Sequence, residues 1–125
     1  MANELILIVE DNEKNRKLVR DVLTFTGYRL AEAETGEEGV RLAKALRPDL
    51  VLMDIQLPGI NGIAALGQIR EDPLIARTPV IAVTASAMTQ DRQTIMSAGF
   101  DGYQSKPISV MDFLAAVRAI LDARP

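Results

Sequence analysis

The sequence predicts an α/β domain with a five-stranded parallel sheet wound on both faces by helices. Three observations predict it. Strand-length apolar runs alternate with segments of helical period along the whole chain, as in βαβ units. The runs at 5–9, 50–53 and 80–83 are apolar without interruption, the pattern of strands covered on both faces. Polar, chemically capable residues sit just past the ends of those runs, Glu10 and Asp11, Asp54 and Thr84, and Lys106 closes a weaker fourth run.

The first strand, Leu5-Ile6-Leu7-Ile8-Val9, leads into Glu10-Asp11-Asn12, where Asp or Asn is an ordinary helix cap. In the helix that follows, Leu18, Val19, Val22 and Leu23 repeat at helical spacing and are expected to face the sheet, and Gly27 ends it. The second strand, near 28–33, alternates in polarity and reads as an edge strand. Thr35-Gly36-Glu37-Glu38 fits a capping box for the second helix, and Pro48 follows its end. The third strand, near 49–53, delivers Asp54 to the turn Gln56-Leu57-Pro58-Gly59-Ile60-Asn61-Gly62. Asn61 is the expected cap of a third helix whose Ile63, Leu66 and Ile69 form a narrow apolar stripe. The fourth strand, near 79–83, ends at Thr84, and the helix at about 87–98 is poorly apolar. A weaker fifth strand, near 102–105, precedes Lys106-Pro107. The last helix opens at Ser109-Val110-Met111-Asp112 and turns Phe113, Leu114, Val117, Ile120 and Leu121 inward.

Composition narrows the chemistry. With 125 residues and 48% hydrophobic content the chain suits one compact domain, 1–125, and contains no linker, repeat or low-complexity tract. It has no Cys and no His, which excludes disulfides, thiol nucleophiles, thiolate zinc sites and an internal histidine base or phosphohistidine. Net charge is −3 without a basic cluster, so direct binding to nucleic acid is not expected. The amino-terminal Met1-Ala2-Asn3-Glu4 has no basic stretch, and the apolar run after it stops at Glu10. That is too short for a signal peptide or a membrane span, and a cytoplasmic protein is expected.

In a doubly wound sheet, ligands bind beyond the carboxyl ends of the strands. Glu10, Asp11, Asp54, Thr84 and Lys106 all fall there. Each alone has an ordinary structural explanation: Asp11 as a cap, Asp54 as a loop carboxylate, Thr84 as a strand residue with a local turn bond, Lys106 as a solvated strand end. Their joint placement points to chemistry. Crowded carboxylates repel unless one is protonated or a cation sits among them. Mg²⁺, which prefers oxygen ligands and water, fits such a set, with Asp11 and Asp54 as direct ligands and Glu10 acting through water. An ionised Asp54 is then a candidate nucleophile for a phosphoryl group, with Lys106 and Thr84 placed to bind its oxygens.

The segments Val9-Glu10-Asp11-Asn12, Leu52 to Gly59, Val83-Thr84-Ala85-Ser86 and Tyr103 to Ile108 carry a resemblance. Over essentially its whole length the chain resembles the receiver domains of two-component response regulators, above all the stand-alone DivK-like type and the receivers of hybrid histidine kinases. The resemblance implies a single flavodoxin-like (βα)5 domain with strand order 2-1-3-4-5 and no output domain. It implies phosphoryl transfer to Asp54 from the phosphohistidine of a histidine kinase or phosphotransfer protein. Mg²⁺ would be held by Glu10, Asp11, Asp54 and the main-chain carbonyl of Gln56. Lys106 would contact the phosphoryl group across a cis bond to Pro107, and Thr84 with Tyr103 would form the switch. Glu10 and Asn61 stand where many members have Asp, and Gln56 and Ser86 match positions that tune acyl-phosphate lifetime. Chemistry would be confined to self-catalysed phosphorylation and dephosphorylation, so the chain is not an enzyme in the ordinary sense. A receiver segment of a hybrid kinase, or a phosphorelay intermediate or phosphate sink, is the alternative.

The chain ends about four residues after its last helix, so output is expected through a protein partner. The fourth helix, fifth strand and fifth helix offer a surface with Ala115, Ala116 and Ala119 turned outward. The first helix, with Asn15, Arg16 and Val19, is the expected kinase-facing side. Two other classes fit poorly. A dehalogenase-type phosphatase needs a second Asp where Gln56 stands, and a flavin carrier is disfavoured by the acidic cluster and 4% aromatic content.

Overall fold

In the computed structural model, which describes residues 3–85 and 89–123, strands and helices alternate strictly. They are β1 (Leu5–Val9), α1 (Glu13–Phe25), β2 (Arg29–Ala33), α2 (Gly36–Leu46) and β3 (Leu50–Asp54), then α3 (Gly62–Glu71), β4 (Val80–Thr84), α4 (Thr89–Ser97), β5 (Gly102–Ser105) and α5 (Val110–Ala123). All neighbouring strands pair in parallel in the order β2-β1-β3-β4-β5. The strands at the centre are the three uninterrupted apolar runs, because only residues apolar on both sides tolerate two helical layers.

Side chains alternate across the sheet, so each strand feeds two cores. One lies beneath α1 and α5 and contains Ile6, Ile8, Leu50, Leu52, Ile81 and Val83 with Val19, Leu23, Phe113, Val117 and Leu121. The other lies beneath α2, α3 and α4 and contains Leu7, Val9, Val51, Met53 and Ala82 with Val40, Ala43, Leu66, Ile69 and Ile95. Loop residues Ile75 and Phe100 complete the second core; no periodicity announced them.

Local signals act as read, with two adjustments. Asn12, Thr35 and Asn61 cap α1, α2 and α3, accepting bonds from Asn15, Glu38 and Ala64 N–H groups. Glu38 reaches back to the N–H of Glu34 at 3.3 Å, one residue beyond the cap, so the box is offset. Gly27, at φ 92°, turns the chain out of α1. Leu18, expected against the sheet, is 43% exposed; Val19 and Leu23 fill that face, and Leu18 lines a groove together with Ile108.

Candidate phospho-acceptor and cation site

Strand register sets the site. Val9 pairs with Met53, Asp54 with Val83, and Thr84 with Ser105. The strands therefore finish level, and the residues that follow share one edge. Asn12 takes the cap of α1, which leaves Asp11 exposed and, among the described residues, without a hydrogen bond to its carboxylate. One carboxylate oxygen each from Glu10, Asp11 and Asp54 lies within 4.8 Å of the others.

Glu10 and Asp54 are each 5% exposed and Thr84 1%. Lys106 sits between the first two: its Nζ donates to Glu10 Oε1 at 2.6 Å and to Asp54 Oδ2 at 3.1 Å. The other oxygens are held from the main chain, Glu10 Oε2 by the Asn12 N–H at 3.1 Å and Asp54 Oδ1 by the Gln56 N–H at 3.1 Å. The Lys106 N–H donates to the Thr84 carbonyl at 2.8 Å, tying the lysine to the end of β4. The peptide bond from Lys106 to Pro107 is cis, as the sequence reading expected.

Charge is unbalanced here. Three carboxylates face one ammonium, and the titratable groups respond. Burial pushes the Glu10 carboxyl upward and the adjacent Asp54 adds to the shift, against opposing bonds from Lys106 and Asn12. Burial works against the Lys106 ammonium, but the bond to Glu10 and the charge of Asp54 outweigh it, so its pKa rises. Neighbouring negative charge contributes to both directions, since it favours a bound proton. A hard divalent cation relieves the same excess, and the donors are all oxygens, as Mg²⁺ requires. Octahedral ligands 2.0–2.1 Å from Mg²⁺ lie at most about 4.2 Å apart. Adjacent octahedral positions lie closer, roughly 2.9 Å apart, so the three oxygens, within 4.8 Å of one another, would draw inward to share one ion. Asp11 is the free donor of the three; both oxygens of Glu10 and of Asp54 are engaged by Lys106 and by main-chain N–H groups.

Tyr103 pairs with Ala82, so it shares the sheet face of Thr84, two residues further along β4. Its half-buried ring carries the Arg92 guanidinium of α4 at 5.3 Å, a cation–π contact that the sequence reading missed. Ser86 lies outside the described residues. On α5, Ala115 and Ala119 are exposed and Ala116 is half-buried, broadly as expected.

The first helix needs correction. Arg16 and Val19, expected on its kinase-facing side, are buried, at 8% and 6% exposure. Val19 belongs to the core, and the Arg16 guanidinium turns inward to the Glu10 carbonyl. Asn15 and Leu18 remain at the surface. They line a groove with Pro107 and Ile108 that opens beside Glu10 and Lys106.

Comparison with known proteins agrees with this geometry. The family model described as the response regulator receiver domain matches residues 6–118. The chain is 44% identical over 116 residues to the polar-differentiation response regulator DivK of Brucella anthropi, covering 93% of this chain and 94% of that protein. It is 43% identical, with the same coverage, to DivK of Brucella ovis. Among solved structures, a sensor histidine kinase receiver domain from Pseudomonas aeruginosa, with a magnesium ion in its active-site cleft, superposes with a TM-score of 0.91. It is 34% identical, over 98% of this chain and 100% of that one. A CheY-like receiver domain protein from Methanospirillum hungatei gives a TM-score of 0.87 at 30% identity, over 97% of this chain and 95% of that one. With the acid cluster, the lysine and the strand order all in agreement, the chain belongs to the response regulator receiver domain family.

Proposed function

We propose that this receiver works as a single-domain response regulator, residues 1–125, whose Asp54 accepts a phosphoryl group from a phosphohistidine on a histidine kinase or phosphotransfer protein. The observation that carries the reading is the convergence of Glu10, Asp11 and Asp54, one oxygen each within 4.8 Å of the others, with the Lys106 ammonium bonded to Glu10 and Asp54. An Asp54 carboxylate oxygen attacks phosphorus, the P–N bond to the donor imidazole breaks, and an acyl phosphate forms. Lys106, with three N–H donors, binds a phosphoryl oxygen while keeping Glu10. Thr84, at the neighbouring strand end, donates its hydroxyl to the same group. Mg²⁺, held by Asp11, Asp54, the Gln56 carbonyl and Glu10 through water, would supply charge neutralisation between acceptor and incoming phosphoryl group. The chain's own chemistry ends there, at transfer and slow hydrolysis.

The donor helix docks in the groove of Asn15, Leu18, Pro107 and Ile108, which lies beside the lysine. Output runs through α4, β5 and α5 to a downstream protein, with Thr84 and Tyr103 as the switch; neither nucleic acid nor membrane is a partner. Among the described residues no helix is long and apolar enough to cross a membrane, in keeping with work in the cytoplasm. DivK relatives matched over 94% of their length support the free-standing form. The match to a sensor-kinase receiver keeps a hybrid-kinase or phosphorelay setting as the second reading.

Incubation with Mg²⁺ and acetyl phosphate, followed by intact mass, tests the proposal. Wild type gains one phosphoryl group and Asp54→Asn gains none; a gain retained in Asp54→Asn would refute the acceptor assignment. Leu18→Asp is expected to slow transfer from a cognate kinase and leave acetyl phosphate labelling unchanged.

A further inference from the structure

Arg16 is a buried cation outside the reaction chemistry, and its contacts converge on the acid turn. Its Nη1 donates to the Glu10 carbonyl at 3.0 Å, its Nε to Glu32 of β2 at 3.1 Å, and its Nη2 to Glu13 of its own helix. Glu32 is held again by Arg20 at 2.8 Å. The Glu10 N–H, for its part, donates to the Ala33 carbonyl of β2 at 3.0 Å. The Glu10 peptide is therefore fixed on both sides to one strand, directly through its N–H and through Arg16 by its carbonyl.

Asp11 follows immediately. No hydrogen bond holds its carboxylate among the described residues, so its place near Asp54 is set by the backbone on either side. On the far side Asn12 is fixed by its cap to Asn15 and by Glu10 Oε2. On the near side the constraint is Arg16. A planar guanidinium can hold a carbonyl and a carboxylate at once from a rigid fork, which a lysine cannot.

From this geometry we infer that Arg16 is the positioning residue of the β1–α1 acid turn, acting through the Glu10 carbonyl to hold Asp11 in register with Asp54 for a divalent cation. The inference rests on the reading of that cluster as a cation site. Groups that orient metal ligands without touching the metal commonly change affinity 10- to 100-fold when removed.

Mg²⁺ titration followed by amide NMR shifts, without any phosphodonor, tests it. Arg16→Lys retains the charge and loses the fork; Arg16→Met with Glu32→Met removes both partners of a part-buried pair, a change that proteins often tolerate without loss of stability. Both are expected to raise the Mg²⁺ dissociation constant about tenfold or more, with the dispersed amide spectrum checking that each variant is folded; Glu32 is only part-buried and its second partner, Arg20, is left able to reach solvent. Asp11→Asn separates the two levels. If wild type binds no Mg²⁺, or Asp11→Asn binds as wild type does, the cation-site reading fails and the inference with it. If Asp11→Asn loses binding while the folded Arg16 variants bind within twofold of wild type, or more tightly, only the positioning role is overturned.

Discussion

Gly62 and Gly67 lie in the same helix, and replacing each by alanine is expected to move stability in opposite directions. A Cβ at Gly62 would stand 2.4 Å from the Asp54 carbonyl oxygen, 2.9 Å from Ile55 Cα and 3.1 Å from the Asp54 carbonyl carbon. Even a close carbon–oxygen contact needs roughly 3.3 Å, so about 0.9 Å must be found. The obstructing atoms are backbone, and the Gly62 N–H is bonded to the Ile55 carbonyl at 2.9 Å, so neither segment swings away freely. Overpacking of this kind costs about 1–3 kcal/mol; the rigid obstacle favours the upper end. Helix propensity returns at most about 1 kcal/mol. The net is a loss of about 2 kcal/mol, or roughly 8 °C in Tm for a domain of this size. At Gly67 nothing lies within 4 Å of the added carbon, so only the propensity gain remains, up to about 1 kcal/mol and roughly 4 °C. Scanning calorimetry of the two variants beside wild type measures both. Gly62→Ala melting at or above wild type, or both variants shifting the same way, would refute the steric argument. Because the displaced carbonyl belongs to Asp54, Gly62→Ala is also expected to weaken phosphoryl uptake, whereas Gly67→Ala leaves it intact.

Three further outcomes are expected. Lys106→Met removes the ammonium donor from Asp54 and should slow labelling by acetyl phosphate about 100-fold, the scale for losing one preorganised charge-stabilising donor; a change under threefold would remove Lys106 from the chemistry. Arg70 donates to the carbonyls of Ala76, Thr78 and Gly99 and to Asp101, which in turn accepts the Val80 N–H; Arg70→Ala should cost about 2–3 kcal/mol in urea denaturation and Arg70→Lys should recover little of it. The Arg118 hydrogen bond to Glu4 pulls its carboxyl from 4.5 to about 2, so its stabilisation is complete above pH 4.5 and fades as pH falls toward 2. Surface screening reduces a full shift of about 3 kcal/mol to about 1 kcal/mol; denaturation at pH 6 and pH 2 should show wild type ahead of Glu4→Gln only at the higher pH, and a gap independent of pH would refute the linkage.

The strands were legible because burial on both faces leaves no choice of residue: Ile6 to Val9, Leu50 to Met53 and Val80 to Val83 had to be apolar throughout. The site was legible for a related reason, since polar residues at the ends of such strands meet at one edge whatever the helices do. Helix faces were less readable. In α1, Leu18 and Val19 sit one position apart near the boundary of the apolar stripe, and only packing onto the core of that sheet face decides which is covered. Arg16 was misread because an arginine on an amphipathic helix is normally solvated; the acceptors that draw it inward, the Glu32 carboxylate and the Glu10 main-chain carbonyl, come from outside the helix. Ile75 and Phe100 reach the core from loops, where no period operates, and the close approach at Gly62 is a property of backbone geometry alone.

In the proposed function, Lys106 would join the acceptor to the switch. Its ammonium spans Glu10 and Asp54, and its N–H is bonded to the Thr84 carbonyl. A phosphoryl group on Asp54 brings three strong acceptor oxygens and added negative charge. The ammonium has a third N–H to give, so it can take a phosphoryl oxygen without releasing Glu10. Any displacement of the lysine toward that group acts on the end of β5, three residues beyond Tyr103, and through the main-chain bond on Thr84. Tyr103 in turn lies under Arg92 of α4, a contact worth about 0.5–1 kcal/mol where solvent reaches it. That is a weak restraint, as the proposed switch would require: a new bond at Asp54 would have only to exceed it for the α4–β5–α5 surface to change.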